Sequence, residues 1–143
     1  DNGTADTLES TAFAVSEAAE LGIPIMLEPF MSEWVDGSIK NNLTTDQVIL
    51  SMAIAAGLGN SSAYSWLKIP VVPDMARVMA STTLPTLLLG GDPGEKEDEL
   101  VEEWANALSL PGVRGLVVGR SMLYPHHGDV AKAVDTAATL VHG

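Results

Sequence analysis

Four short apolar runs, "IPIMLEPF" (23–30), "AYSWLKIPV" (63–71), "PTLLLGG" (85–91) and "VRGLVVG" (113–119), are separated by longer stretches of helical period. This alternation constrains the fold more than any other feature. The runs are short and almost continuously apolar, so they read as strands buried on both faces. The stretches around them read as helices. "TADTLESTAFAVSEAAELG" repeats apolar residues at Leu8, Ala12, Val15 and Ala19 and ends at Gly22, a C-cap residue. "TTDQVILSMAIAAGLG" has Thr44 and Gln47 at capping-box spacing, and "PDMARVMAST" has Pro73 in its first turn. "EKEDELVEEWANALSL" turns Leu100, Val101, Trp104 and Leu108 inward, and "GDVAKAVDTAATLVHG" puts Val130, Val134 and Val141 on one side.

Helices alternating with buried strands predict an α/β fold on a parallel sheet. Two architectures satisfy this order: an open sheet of flavodoxin-like type, or part of a (β/α)8 TIM barrel. A full barrel needs about 200 residues or more, and four strands make half of one. The first helix has no strand before it and the chain starts without methionine, as expected of a chain cut inside a βα loop. The expected architecture is the C-terminal half of a barrel, strands five to eight, with residues 1–143 as one unit and the N-terminal half absent. Open strand edges and an uncovered inner face would make such a piece a homo-oligomer or a fragment of a longer chain.

Composition removes several functions. Nineteen acidic against seven basic residues give a net charge of −12, which argues against nucleic acid or an anionic membrane as partner. With no cysteine there is no disulfide, thiolate catalysis or Cys-type zinc site. No apolar run reaches bilayer length, so a cytoplasmic protein is expected. His126 and His127 are adjacent and lack the spacing of a metal motif, and read as loop residues. "GLGNSS" lacks the lysine and spacing of a P-loop.

The strands carry their polar and glycine residues at the carboxyl ends: Glu28, Lys68, Gly90-Gly91-Asp92 and Gly119-Arg120. Both architectures build sites there. Lys68 stands out, because an ammonium in a buried strand is costly unless it is paired or its pKa falls, and a lysine so shifted becomes a nucleophile. By strand alternation Tyr64, Trp66 and Lys68 share one face while Leu67 and Ile69 take the other. On the residue alone, a nucleophile and a lysine snorkelling to an ion pair are evenly matched. Glu28 ends its strand in the same way and could approach Lys68, as a proton shuttle or as a structural partner. Gly90, Gly91 and Gly119 would let backbone N–H groups approach an anion, with Arg120 as a charge-assisted clamp.

The segments "SWLKIPVV", "LLLGGDPG" and "VRGLVVGRSMLYP…DVAKAVDTAATLVH" together resemble class I, Schiff-base aldolases of the deoxyribose-phosphate and archaeal-type fructose-bisphosphate group. Within that group the chain most resembles the (β/α)8 aldolase-like proteins of bacterial inositol-catabolism clusters. The resemblance covers about the C-terminal half of a family member. It implies that Lys68 is the Schiff-base lysine and that Gly90, Gly91, Gly119 and Arg120 form the phosphate site. Where archaeal-type members carry aromatic acid/base residues on strand five, this chain has Glu28. The implied substrate is a phosphorylated keto or deoxy sugar acid, such as 5-dehydro-2-deoxy-6-phosphogluconate, cleaved without a metal or organic cofactor. A non-catalytic sugar-phosphate binder on the same fold is the rival reading.

Overall fold

The computed structural model describes residues 3–90 and 97–143. In chain order, α1 (Thr4–Leu21) leads to β1 (Ile25–Leu27), and a hairpin of β2 (Ser32–Val35) and β3 (Ser38–Asn41) follows. Then come α2 (Thr45–Ala56), β4 (Ser65–Ile69), α3 (Met75–Ala80), β5 (Thr86–Leu89) and α4 (Glu97–Leu108). The chain finishes with β6 (Val113–Val117), a short α5 (Arg120–Leu123) and α6 (Val130–His142).

β1, β4, β5 and β6 form one parallel sheet in that order, so each new strand adds to the same growing edge. A doubly wound sheet reverses its strand order part-way. Among the described strands no reversal occurs, the order expected of consecutive barrel strands. The result is a mixed α/β unit on a parallel sheet.

Alternation along β4 sorts its side chains as the sequence predicts. Ser65, Leu67 and Ile69 are buried, while Trp66 and Lys68 are half-buried on the opposite face. Leu67, Ile69 and Leu88 form one core cluster with Val48, Met52 and Ala55 of α2, Val78 and Met79 of α3, and Ala107 of α4. Register places Met26 beside Trp66 and Lys68 beside Leu87 on the other face. A shift between Thr86 and Leu87 skips Arg114, so that Leu87 pairs with Gly115.

Several expectations need correction. The hairpin is absent from the pattern of apolar runs, although "SEWVDGSIKN" carries an Asp-Gly turn signal. Asp36 and Gly37 both take positive φ (51° and 76°), the geometry a two-residue hairpin turn demands. α5 is a second element that the helical periodicity does not predict. Thr44 does cap α2 with extended backbone, but its side chain makes no capping hydrogen bond. Pro73 lies outside α3, whose N-cap is Asp74. On α6 the valine side is not the buried one: Val130 and Val134 are exposed and Ala137 is buried. α6 packs on α4, α5 and β6, and small residues let it sit close. Leu8 of α1 is likewise exposed, leaving Val15 as that helix's buried residue.

Candidate active site

Parallel strands point their carboxyl ends the same way, so Glu28, Lys68, Gly90 and Gly119-Arg120 follow one another along a single rim. The structure brings Glu28 and Lys68 into contact. Lys68 Nζ donates to Glu28 Oε2 at 2.9 Å, across 40 residues of sequence. The lysine side chain is 18 % exposed and the glutamate side chain 43 %. The pair is therefore half-sunk: the lysine side chain is mostly covered while its carboxylate partner stays accessible from the rim. Trp66 lies two residues before Lys68 on the same face, with Met26 beside it. The amine thus shares its face with two apolar side chains and has one acid within hydrogen-bond distance, a geometry in which a proton can pass directly between nitrogen and oxygen.

The glycines are held for different reasons. Gly90 is buried, and a Cβ there would fall 2.6 Å from Val118 Cγ1 and 3.1 Å from Val118 Cα. Only glycine lets the strand end after β5 lie so close to the chain after β6. Gly119 meets open space instead, and its carbonyl accepts from Met122 N and Leu123 N at the start of α5. Arg120 is exposed as the first residue of that helix. Gly91 lies outside the described residues.

His127 Nδ1 accepts from the Asp129 backbone N–H at 3.0 Å, a loop contact. A cavity of about 100 Å³ lies among α4, α5 and α6, away from Lys68, and Trp104 and Ser121 line it. Trp104 Nε1 and Ser121 Oγ are buried without a hydrogen-bond partner among the described residues. Among those residues, no helix is long and apolar enough to cross a membrane.

A family model described as Cgl0159-like matches residues 1–138. The chain belongs to the Cgl0159-like family. The crystal structure of Cgl0159 from Corynebacterium glutamicum (Brevibacterium flavum) is 65% identical with a TM-score of 0.96, over 99% of this chain and 48% of that one. An archaeal fructose-1,6-bisphosphate aldolase, solved with its catalytic lysine covalently bound to the carbinolamine intermediate of the substrate, is 22% identical. Its TM-score is 0.76, over 99% of this chain and 54% of that one. A Schiff-base-forming fructose-1,6-bisphosphate aldolase superposes at a TM-score of 0.74 and 22% identity, over 96% of this chain and 52% of that one. The chain thus spans about half the length of these solved structures, and shares the aldolases' fold over that half. No curated protein matches it.

Proposed function

We propose that this chain supplies the lysine-bearing half of a (β/α)8 class I aldolase, with Lys68 as the Schiff-base nucleophile. The observation that carries the reading is the Lys68–Glu28 contact on the face away from the helix-packed core, at the carboxyl ends of two adjacent parallel strands. The fold shared with lysine-dependent aldolases supports it. Exposed apolar side chains on α1, β1 and α6 (Phe13, Met26, Val130, Val134) support a barrel whose other half covers them.

In this reading Glu28 first takes the ammonium proton, freeing Lys68 Nζ to add to the carbonyl of a phosphorylated keto sugar or sugar acid. Glu28 returns the proton to the carbinolamine hydroxyl, which leaves as water, and an iminium remains. The carboxylate next removes the proton of the substrate's β-hydroxyl. The C–C bond breaks, its electron pair enters the iminium as an enamine, and the aldehyde product departs. Protonation of the enamine carbon and addition of water release the second product and restore the amine. Gly90, Gly91, Gly119 and Arg120 hold the phosphate, so that binding energy fixes the carbonyl at the amine. Substrates to assay are fructose-1,6-bisphosphate and 5-dehydro-2-deoxy-6-phosphogluconate, the second being the inositol-derived candidate.

The ion pair also fits a sugar-phosphate binder in which Lys68 never condenses. Borohydride trapping of the whole polypeptide separates the two. An aldolase gains a covalent adduct of substrate mass on Lys68, and Lys68→Arg abolishes both adduct and cleavage, because guanidinium stays protonated. Absence of any adduct with either substrate, or cleavage surviving in Lys68→Arg, would overturn the reading.

A further inference from the structure

The backbone ladder between β1 and β4 stops just short of the Glu28–Lys68 pair. It spans Ile25–Leu27 against Ser65–Leu67 and no further. Lys68 is still inside β4 and is held opposite Leu87 by the ladder with β5, whereas Glu28 lies one residue past the end of β1. The separation of the two side chains therefore depends on what fixes the chain at Glu28, and α2 links that point to the β4 side. Ser51 Oγ of α2 donates to the Pro29 carbonyl at 3.3 Å, one residue past Glu28. Thr45 Oγ1, in the first turn of the same helix, donates to the Pro73 carbonyl in the loop after Lys68. The Arg77–Asp46 ion pair, 2.7 Å long, ties α2 to α3, which follows that loop.

Ser51 has no reason to be polar for the helix's own sake. It is 3% exposed in the stripe that buries Val48, Met52 and Ala55. Alanine there would favour the helix and bury no hydroxyl. Its single proton is divided between the Val48 carbonyl, 2.9 Å away within the helix, and the Pro29 carbonyl. Only the second contact reaches another element.

We propose that Ser51 and Thr45 are positioning residues: Thr45 anchors α2 to the loop after β4, Ser51 ties the same helix to the chain just past Glu28, and together they keep Glu28 within proton-transfer reach of Lys68. Proton transfer requires a heavy-atom separation of about 2.6–3.2 Å, and the observed 2.9 Å sits inside that window. The kinetic part rests on the aldolase reading, whereas the geometric part does not.

The test compares Ser51→Ala, Thr45→Val and Thr45→Ser in the whole polypeptide. The first two are expected to lower kcat about five- to tenfold, the worth of one hydrogen bond. The adduct forms more slowly, since Glu28 also serves condensation, but its final yield after prolonged borohydride trapping stays as in the unaltered protein, because Lys68 itself is intact. Thr45→Ser keeps the hydroxyl and keeps kcat. Crystals of Ser51→Ala are expected to show Glu28 Oε2 withdrawn from hydrogen-bond distance of Lys68 Nζ. Lower stability with unchanged kcat per trapped site would overturn the proposal, as would a Glu28–Lys68 contact unchanged in the crystals. An unaltered protein that forms no adduct overturns the aldolase reading instead, and the crystal distance then decides the positioning alone.

Discussion

Replacing Glu28 by Gln tests whether the rim pair exists for chemistry or for stability. The substitution keeps shape and one hydrogen-bond acceptor but removes the negative charge. At 2.9 Å the attraction between unit charges in water-like surroundings is about 1.4 kcal/mol. Because the glutamate side chain is 43% exposed, screening and side-chain entropy reduce the net contribution to about 0.5–1 kcal/mol. Urea unfolding of Glu28→Gln should therefore show a loss of that size. Removing a general acid–base group costs far more in rate, about 10²- to 10⁴-fold, or about 2.7–5.5 kcal/mol on the barrier. Single-turnover cleavage and urea melts on the same preparation give both quantities. A stability loss of several kcal/mol with an unimpaired rate would refute the reasoning and make Glu28 a structural partner of Lys68.

Arg120→Ala is expected to raise KM for a phosphorylated substrate about ten- to a hundredfold and to spare an unphosphorylated analogue; equal losses on both would assign Arg120 to structure. Gly90→Ala must push a methyl against Val118, and urea melts should show a loss of about 1–3 kcal/mol. Ser121→Ala removes a buried hydroxyl that has no partner among the described residues, so thermal melts should show no loss of stability, or a gain.

The elements legible in the sequence are those with a strong local signal. Alternation in "SWLKI" sorts the side chains of β4 between the helix-packed face and the opposite one, and Lys68 falls on the latter by spacing alone. Gly22 closes α1 in the left-handed conformation, as a C-cap should. The hairpin carries an equally clear signal in Asp36-Gly37, yet its strands are largely exposed and lack the apolar run that marks the others. The valine stripe of α6 misleads because periodicity names a face without naming its neighbour, and small residues win the close contact. Gly90 reads as part of an anion loop, and the contact with Val118 gives it a packing reason as well, one that no single strand's sequence reveals. Ser51 and Thr45 are invisible to sequence reading for a related reason. Their partners are carbonyls of Pro29 and Pro73, and a hydroxyl aimed at a distant backbone leaves no spacing pattern.

The register of the sheet also bears on the order in which the chain acquires its native contacts. β4 meets β5 across 19 residues (Leu67 with Thr86) and β5 meets β6 across 27 (Thr86 with Val113), but β1 meets β4 across 40 (Ile25 with Ser65). Closing the longest of these loops costs about 0.6 kcal/mol more chain entropy than closing one half as long. It also encloses the hairpin and α2, which must be in place for Ser51 and Thr45 to reach their carbonyls. Non-local pairing of this kind is slow to form. During refolding, β4, β5 and β6 should associate first, and the joining of Glu28 to Lys68 should come last. Lysine reactivity toward substrate would then lag behind the recovery of circular dichroism, which makes it a kinetic reporter for the final docking of β1.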